Sequence, residues 1–149
     1  MTPVNVPDNT VGAFEYVSFP DLGIPRVFAK VDTGAYSGAL HCTKMRVSKR
    51  FGKKPVLKFT PLGKAEYATE TADFKVKSLR SSTGHRVRRY VIKTTIGLEG
   101  KTYPVEIGLS NRSDMRVEVL VGRRFLGDNG LVVDSRINKK LDDKKEGVI

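Results

Sequence analysis

The sequence predicts an all-β barrel or sandwich with one short helix near its C-terminal end. Three observations carry this. Hydrophobic residues alternate with polar ones at a period of two, turn residues interrupt the alternation at short intervals, and no long 3.6-residue pattern appears. An α/β sheet would need crossover helices between its strands, and the sequence offers none of the required length.

The elements follow in chain order. Val27–Val31 is a hydrophobic strand that runs directly into Asp32. Leu57 and Phe59 alternate with Lys58 and Thr60, and Phe74 and Val76 alternate with Lys75 and Lys77. Tyr90, Ile92, Thr94 and Ile96 hold one face of a longer run, and Val105, Ile107 and Leu109 repeat the pattern. Successive side chains on a strand point to opposite faces, so each run reads as half-buried. Turns are expected at Pro20–Gly23, Phe51–Pro55, Ser81–Gly84, Glu99–Gly100 and Gly127–Gly130. The short helix is expected around Arg123–Leu126. The segment from about Phe74 to Lys93, turning at Ser81–Gly84, is a candidate flap over a cleft.

With 149 residues the chain reads as one domain. Residues 1–12 are expected to be a flexible N-terminal segment, 13–137 the folded domain, and 138–149 a charged tail. No apolar run spans a bilayer and no signal-peptide pattern precedes the first strand. The single Cys42 excludes an internal disulfide framework and fits a reducing compartment, so a cytoplasmic protein without a membrane partner is expected.

There are 27 Lys and Arg against 16 Asp and Glu, a formal charge of +11. Thr33–Ala65 and Phe74–Leu98 contain no acid, so basic residues can line up as stripes on strand faces. A polyanion or an acidic peptide is the partner class this suggests. Nucleic acid ranks second, because the basic runs lack interleaved aromatics on which bases would stack.

Two motifs fail on their spacing. Gly97–Thr102 ends in Gly-Lys-Thr, but a phosphate-binding loop needs a glycine where Thr95 stands, and a hairpin turn explains Glu99–Gly100. Metal ligands are sparse. Only His41 and His85 exist, and Asp32 with these two is the sole candidate set, so neither metal nor cofactor is expected.

The chemistry sits in Asp32-Thr33-Gly34-Ala35. A strand end delivers a carboxylate into a cleft, Gly34 allows a tight turn, and the Thr33 hydroxyl can lock it. Two such carboxylates brought together share one proton; one then activates water while the other protonates the leaving amide. Near the C-terminus, Val117–Val121 runs into Gly122-Arg123 ahead of the short helix. An aliphatic strand ending in Gly-Arg resembles the closing motif of retropepsin-like aspartic proteases, where it cradles the Asp-Thr-Gly turn.

The resemblance narrows to the bacterial and archaeal retropepsin-like proteins called "ATP-dependent zinc protease". Four blocks occur in the family's order: Lys30–Ala35 with Ser37 and Ala39–His41; Arg89–Ile92; Leu109–Met115; and Leu120–Arg123 followed by Val132–Asp134. Tyr36, Gly38 and Cys42 stand where members usually have Lys, Ser and Ala, and Arg124 where many retropepsins have Asn or Asp.

This resemblance implies a retropepsin-like closed β-barrel and an aspartic peptidase without zinc or ATP of its own. It implies Asp32 as catalyst, Thr33, Gly34 and Ala35 as its turn, and Gly122, Arg123 and Arg112 as support. Tyr36, Ser37, His41, Ser82, Gly84 and His85 are candidate substrate contacts. The family's association with a ligase that adds glutamates to a small-subunit ribosomal protein implies a glutamate-rich tail as substrate. Only one Asp-Thr-Gly is present, and Asp134-Ser135-Arg136 lacks the glycine, so a dyad requires a homodimer. Two other functions stay open. One is a non-catalytic basic β domain that binds an acidic peptide or the ribosome; the other is a zinc-dependent hydrolase.

Overall fold

The computed structural model describes residues 7–49, 51–80 and 84–139. Its strands are β1 (Thr10–Val11), β2 (Phe14–Phe19), β3 (Ile24–Asp32), β4 (Ala39–Ser48), β5 (Val56–Pro61) and β6 (Thr69–Thr71), then β7 (Phe74–Arg80), β8 (Arg86–Leu98), β9 (Lys101–Ser110), β10 (Val119–Gly122) and β11 (Val132–Val133). One helix, α1 (Arg123–Asp128), lies between the last two strands.

Six strands close a ring. β10 pairs with β3 in parallel, and β3, β2, β8 and β9 follow as antiparallel neighbours. β9 then pairs with β4 in parallel, and β4 returns to β10 antiparallel. The chain therefore forms the retropepsin-like barrel that the resemblance implied. β5 and β6 extend from β4, and β7 from β8. β1 pairs with β11 in a separate two-stranded sheet.

Alternation explains the core. Val27, Ala29 and Val31 of β3 point inward to join Leu40, Ile92, Ile96 and Leu109, all buried. Phe28 faces the other way, stacks on Phe14 at 5.3 Å between ring centroids, and packs with Val117 outside the barrel. A buried Leu such as Leu40 truncated to Ala would cost about 2–5 kcal/mol.

The hairpins match the turn residues. Glu99 and Gly100 join β8 to β9 with positive φ values of 54° and 79°, the requirement of a type I′ turn. Lys101 and Thr102 accordingly lie on strand β9, not at a phosphate-binding helix. Two elements differ from expectation. α1 runs on to Asp128, through the Gly127 where a turn was expected, because Phe125 and Leu126 anchor it in the core. Val76 is exposed, since β7 pairs only with β8 and sits outside the ring.

The two ends of the described chain pack together. Ala13 N donates to Ile137 O, and Val132 N and Asp134 N donate to Asn9 O and Val11 O. Among the described residues no helix is long and apolar enough to cross a membrane.

Candidate active site

Asp32 ends β3 and is half-buried beside Gly122, its register partner on β10. Its own groups close the turn. Gly34 N donates to Asp32 Oδ1 at 3.0 Å, and Ala35 N donates to Asp32 O at 3.2 Å. The Thr33 side chain is exposed and forms no hydrogen bond among the described residues. Within one chain the carboxylate itself, not the threonine hydroxyl, holds the turn.

The closing motif grips this turn from behind. Arg123 N donates to Ala35 O at 2.8 Å and Arg124 N to Tyr36 O at 3.1 Å. Arg123 Nη1 reaches Gly34 O at 3.1 Å, and its guanidinium lies 5.3 Å from the Tyr36 ring centroid. A Cβ on Gly122 would stand 2.7 Å from Tyr36 O and from the Ser37 carbonyl carbon. The aliphatic-Gly-Arg pattern thus has a steric reason: only glycine lets α1 start against the segment after the Asp turn.

Arg112 follows β9 and is anchored twice. Its Nε donates to Val117 O at 3.0 Å, and its backbone N donates to His41 Nδ1 at 2.8 Å. Burial and the nearby Arg89 guanidinium push the Arg112 pKa down, while the Asp32 carboxylate opposes them. His41 is itself buried, its backbone N donating to Glu118 O and its carbonyl accepting from Leu62 N. It is a post for the Arg112 loop, and no face of it is open to a peptide.

Tyr36 and Ser37 are exposed beside the turn. Gly84 and His85 are exposed at the end of the β7–β8 hairpin, remote in sequence from the turn, and Ser82 lies outside the described residues. Arg124 faces Glu106 at 3.8 Å and Asp128 at 3.7 Å. A cavity of about 480 Å³ opens next to the turn, between Tyr36–Gly38, β8, β9 and α1. Asp32 does not line it; the cavity begins where the Asp turn ends.

Asp134 and the thiol of Cys42 have structural explanations. Asp134 binds Arg136 through both carboxylate oxygens, at 3.0 and 2.8 Å, which holds its pKa down at about 2 and makes it a polar strand end. Burial pushes the Cys42 thiol up to about 12, removing it as a nucleophile.

The donor set does not fit the zinc in the resembling family's name. His41 Nδ1 is taken by Arg112 N, and its ring is buried. Among the described residues no three His, Cys, Asp or Glu side chains gather where one ion could be held.

The meeting of Gly108 with Arg89 escapes sequence reasoning. Gly108 on β9 is buried, and a Cβ there would meet Arg89 Cδ at 2.9 Å. A glycine inside a strand marks a close approach, and that signal was legible. Which side chain approaches was not.

A single acid on an Asp-Thr-Gly turn, latched by a Gly-Arg strand end inside a six-stranded ring, defines the retropepsin-like class. The RimB-like family model, described as retropepsin-like aspartic endopeptidase RimB, matches residues 10–141, and the chain belongs to this family. Two probable alpha-L-glutamate ligases are similar to it. One from Shewanella pealeana is 33% identical over 126 residues, covering 82% of this chain and 28% of the ligase. One from Desulfotalea psychrophila is 30% identical over 137 residues, covering 89% and 29%. The chain therefore spans less than a third of the length of these curated relatives. A Legionella pneumophila crystal structure of unknown function (DUF785) superposes with a TM-score of 0.68 at 25% identity, covering 86% of this chain and 94% of that one.

Proposed function

We propose that the protein is a homodimeric aspartic peptidase that hydrolyses acidic, glutamate-rich peptide tails in the cytoplasm. The observation that carries this reading is the Asp32 turn: one carboxylate per chain, held at a strand end by Gly34 N and backed by Arg123. One Asp32 from each subunit would meet at a two-fold axis and share a proton. The ionised member takes a proton from water as the oxygen attacks the scissile carbonyl carbon. The protonated member gives its proton to the amide nitrogen as the C–N bond breaks. Thr33, exposed and without a hydrogen-bond partner among the described residues of the single chain, is available to the other subunit's turn. The Tyr36, Ser37 and hairpin-end positions would border the peptide.

The formal charge of +11 supports an acidic substrate, and the ligase names of relatives that carry a similar segment fit one built from glutamate. Cleavage of a glutamate-tailed peptide tests the chemistry. Asp32→Asn should lower kcat/KM at least about a thousandfold while leaving the fold intact. Unchanged cleavage would remove Asp32 from the mechanism. Small-angle scattering tests the assembly, because a strict monomer at assay concentration has no dyad.

A further inference from the structure

Two strands outrun the ring at the same place. β9 ends at Ser110, where its parallel neighbour β4 has reached only His41 and its antiparallel neighbour β8 has just entered at Tyr90. From Cys42 onward β4 pairs with β5 alone, and the Arg86–Arg89 end of β8 pairs with β7 alone. Two hairpins therefore leave the barrel past Ser110, one on either side of it.

Both hairpins are cationic. Their four strands lie within Thr33–Ala65 and Phe74–Leu98, which contain no acid. Like charges stand directly opposite each other at Arg46–Lys58, Lys77–Arg89 and Arg80–Arg86, an arrangement that destabilises a sheet. Lys58 is relieved by Glu70, its partner on β6, and Lys77 shares its cavity with Glu106. Arg80 and Arg86 have no such relief, because they stand on the opposite face and β7 has no strand beyond it among the described residues. Arg86 and Arg88 share that outer face, roughly 6.7 Å apart along the strand. Both are exposed, and neither makes an ion pair among the described residues.

The β4–β5 hairpin carries its own pair. A bulge interrupts its register between Thr43 and Arg46 and holds Lys44 at φ 53°, where a non-glycine residue is uncommon. Lys44 and Arg46 are exposed, while Met45 between them packs on the core. At the tip of this hairpin Phe51 is fully exposed, with Lys49 before it and Lys53 and Lys54 after it. An apolar side chain at the end of a basic ribbon is the device that wedges between stacked bases.

We propose that the two hairpins grip a double-stranded nucleic acid, with Lys44, Arg46, Arg86 and Arg88 on its phosphates and Phe51 against a base step. Interleaved aromatics are a need of single-strand binding, and their absence from the strands does not count against a duplex, which is held through its backbones. Glutamates of an extended peptide could match one cation pair, but a single chain meets one hairpin, whereas a duplex offers two backbones to two hairpins.

The test titrates the full chain against an RNA duplex, a DNA duplex of the same sequence, a glutamate-tailed peptide and vesicles of anionic phospholipid, at several salt concentrations. Duplex affinity should fall with salt at a log–log slope of about −3 to −4, from four phosphate contacts. Arg86→Gln with Arg88→Gln, or Lys44→Gln with Arg46→Gln, should each flatten that slope by about 2 and weaken binding about tenfold or more. Phe51→Ala should weaken binding about three- to tenfold at an unchanged slope. Lys101→Gln, an exposed cation at the far end of β9, should change neither quantity. All these side chains are exposed, so the variants should melt as the wild type does. Asp32→Asn should bind the duplex unchanged, which separates this surface from peptide cleavage. A preference for RNA or for DNA identifies the duplex, and either supports the grip. Failure to bind both duplexes overturns it, as does an equal loss on Lys101→Gln, which would leave net charge as the cause. Tighter binding of the peptide or the vesicles, lost through the same substitutions, also overturns it and assigns the surface to that partner.

Discussion

Asp32 and Glu15 are carboxylates on adjacent strands of one barrel, yet they occupy opposite environments. Asp32 sits half-exposed at the end of β3, with Arg112 in electrostatic reach and Arg123 behind its turn. Glu15, the second residue of β2, is buried; it accepts from Gly12 N at 2.7 Å and Asn138 Nδ2 at 3.0 Å through a single oxygen, and Glu99 is its acidic neighbour. Desolvation first, then Glu99, raise its pKa to about 6. The barrel offers one acid cations and room, and the other a second acid and burial. The first environment suits chemistry, and the second suits a clasp that ties the C-terminal segment to β2.

The sharpest way to break the Asp32 side is to fill its cradle. Gly122→Val would drive side-chain atoms into the Tyr36–Ser37 backbone, and we expect a loss of about 3 kcal/mol or more and, with it, of the peptide cleavage proposed above. Thermal melting should show a drop of several degrees. A stable variant with an unaltered melt would mean the latch between α1 and the Asp turn is loose.

The Glu15 side is tested by removing its charge. Its folded pKa of about 6 lies above the ordinary glutamate value of 4.5, so the native state holds extra proton in that window. Its stabilising share is thus complete below about pH 4.5 and lost as pH rises through 6. Glu15→Gln keeps an oxygen for Gly12 N and Asn138, so at pH 7.5 it should stabilise the fold by roughly 1–2 kcal/mol. At pH 4.5 the gain should largely vanish. A gain of the same size at both values would show that the buried charge is not its source.

The smallest effect belongs to Lys75–Glu106, an exposed pair at 2.6 Å on the hairpin side of the cavity. Its hydrogen bond holds the Glu106 pKa down, so its contribution is present at neutral pH and lost on acidification through the lowered value. Solvent screening limits that contribution, and Lys75→Met should cost only about 0.2–1 kcal/mol, less in high salt. A double-mutant cycle with Glu106→Gln would measure it.

Much of this was legible in the residues. Period-two alternation located β5, β8 and β9, and Glu99–Gly100 announced its hairpin, because these signals are local. The Asp-Thr-Gly turn and the Gly-Arg strand end were equally plain. The edge position of β7 was not, since exposure of Val76 depends on which strand lies beyond it. Nor could one read that His41 would be a buried post, or that α1 would continue through Gly127 once Phe125 and Leu126 found the core.

The sequence by itself determined β3, β5, β8, β9 and β10, the Asp32 turn, the count of one Asp-Thr-Gly and the charge, all of which follow from neighbours along the chain. Only the tertiary structure decided which residues meet. It set Gly122 against Tyr36 and Ser37, laid Arg89 across Gly108, and buried Glu15 beside Glu99. Those pairings join residues far apart in the chain, and closure of the ring, not any local preference, fixes their distances and their access to water.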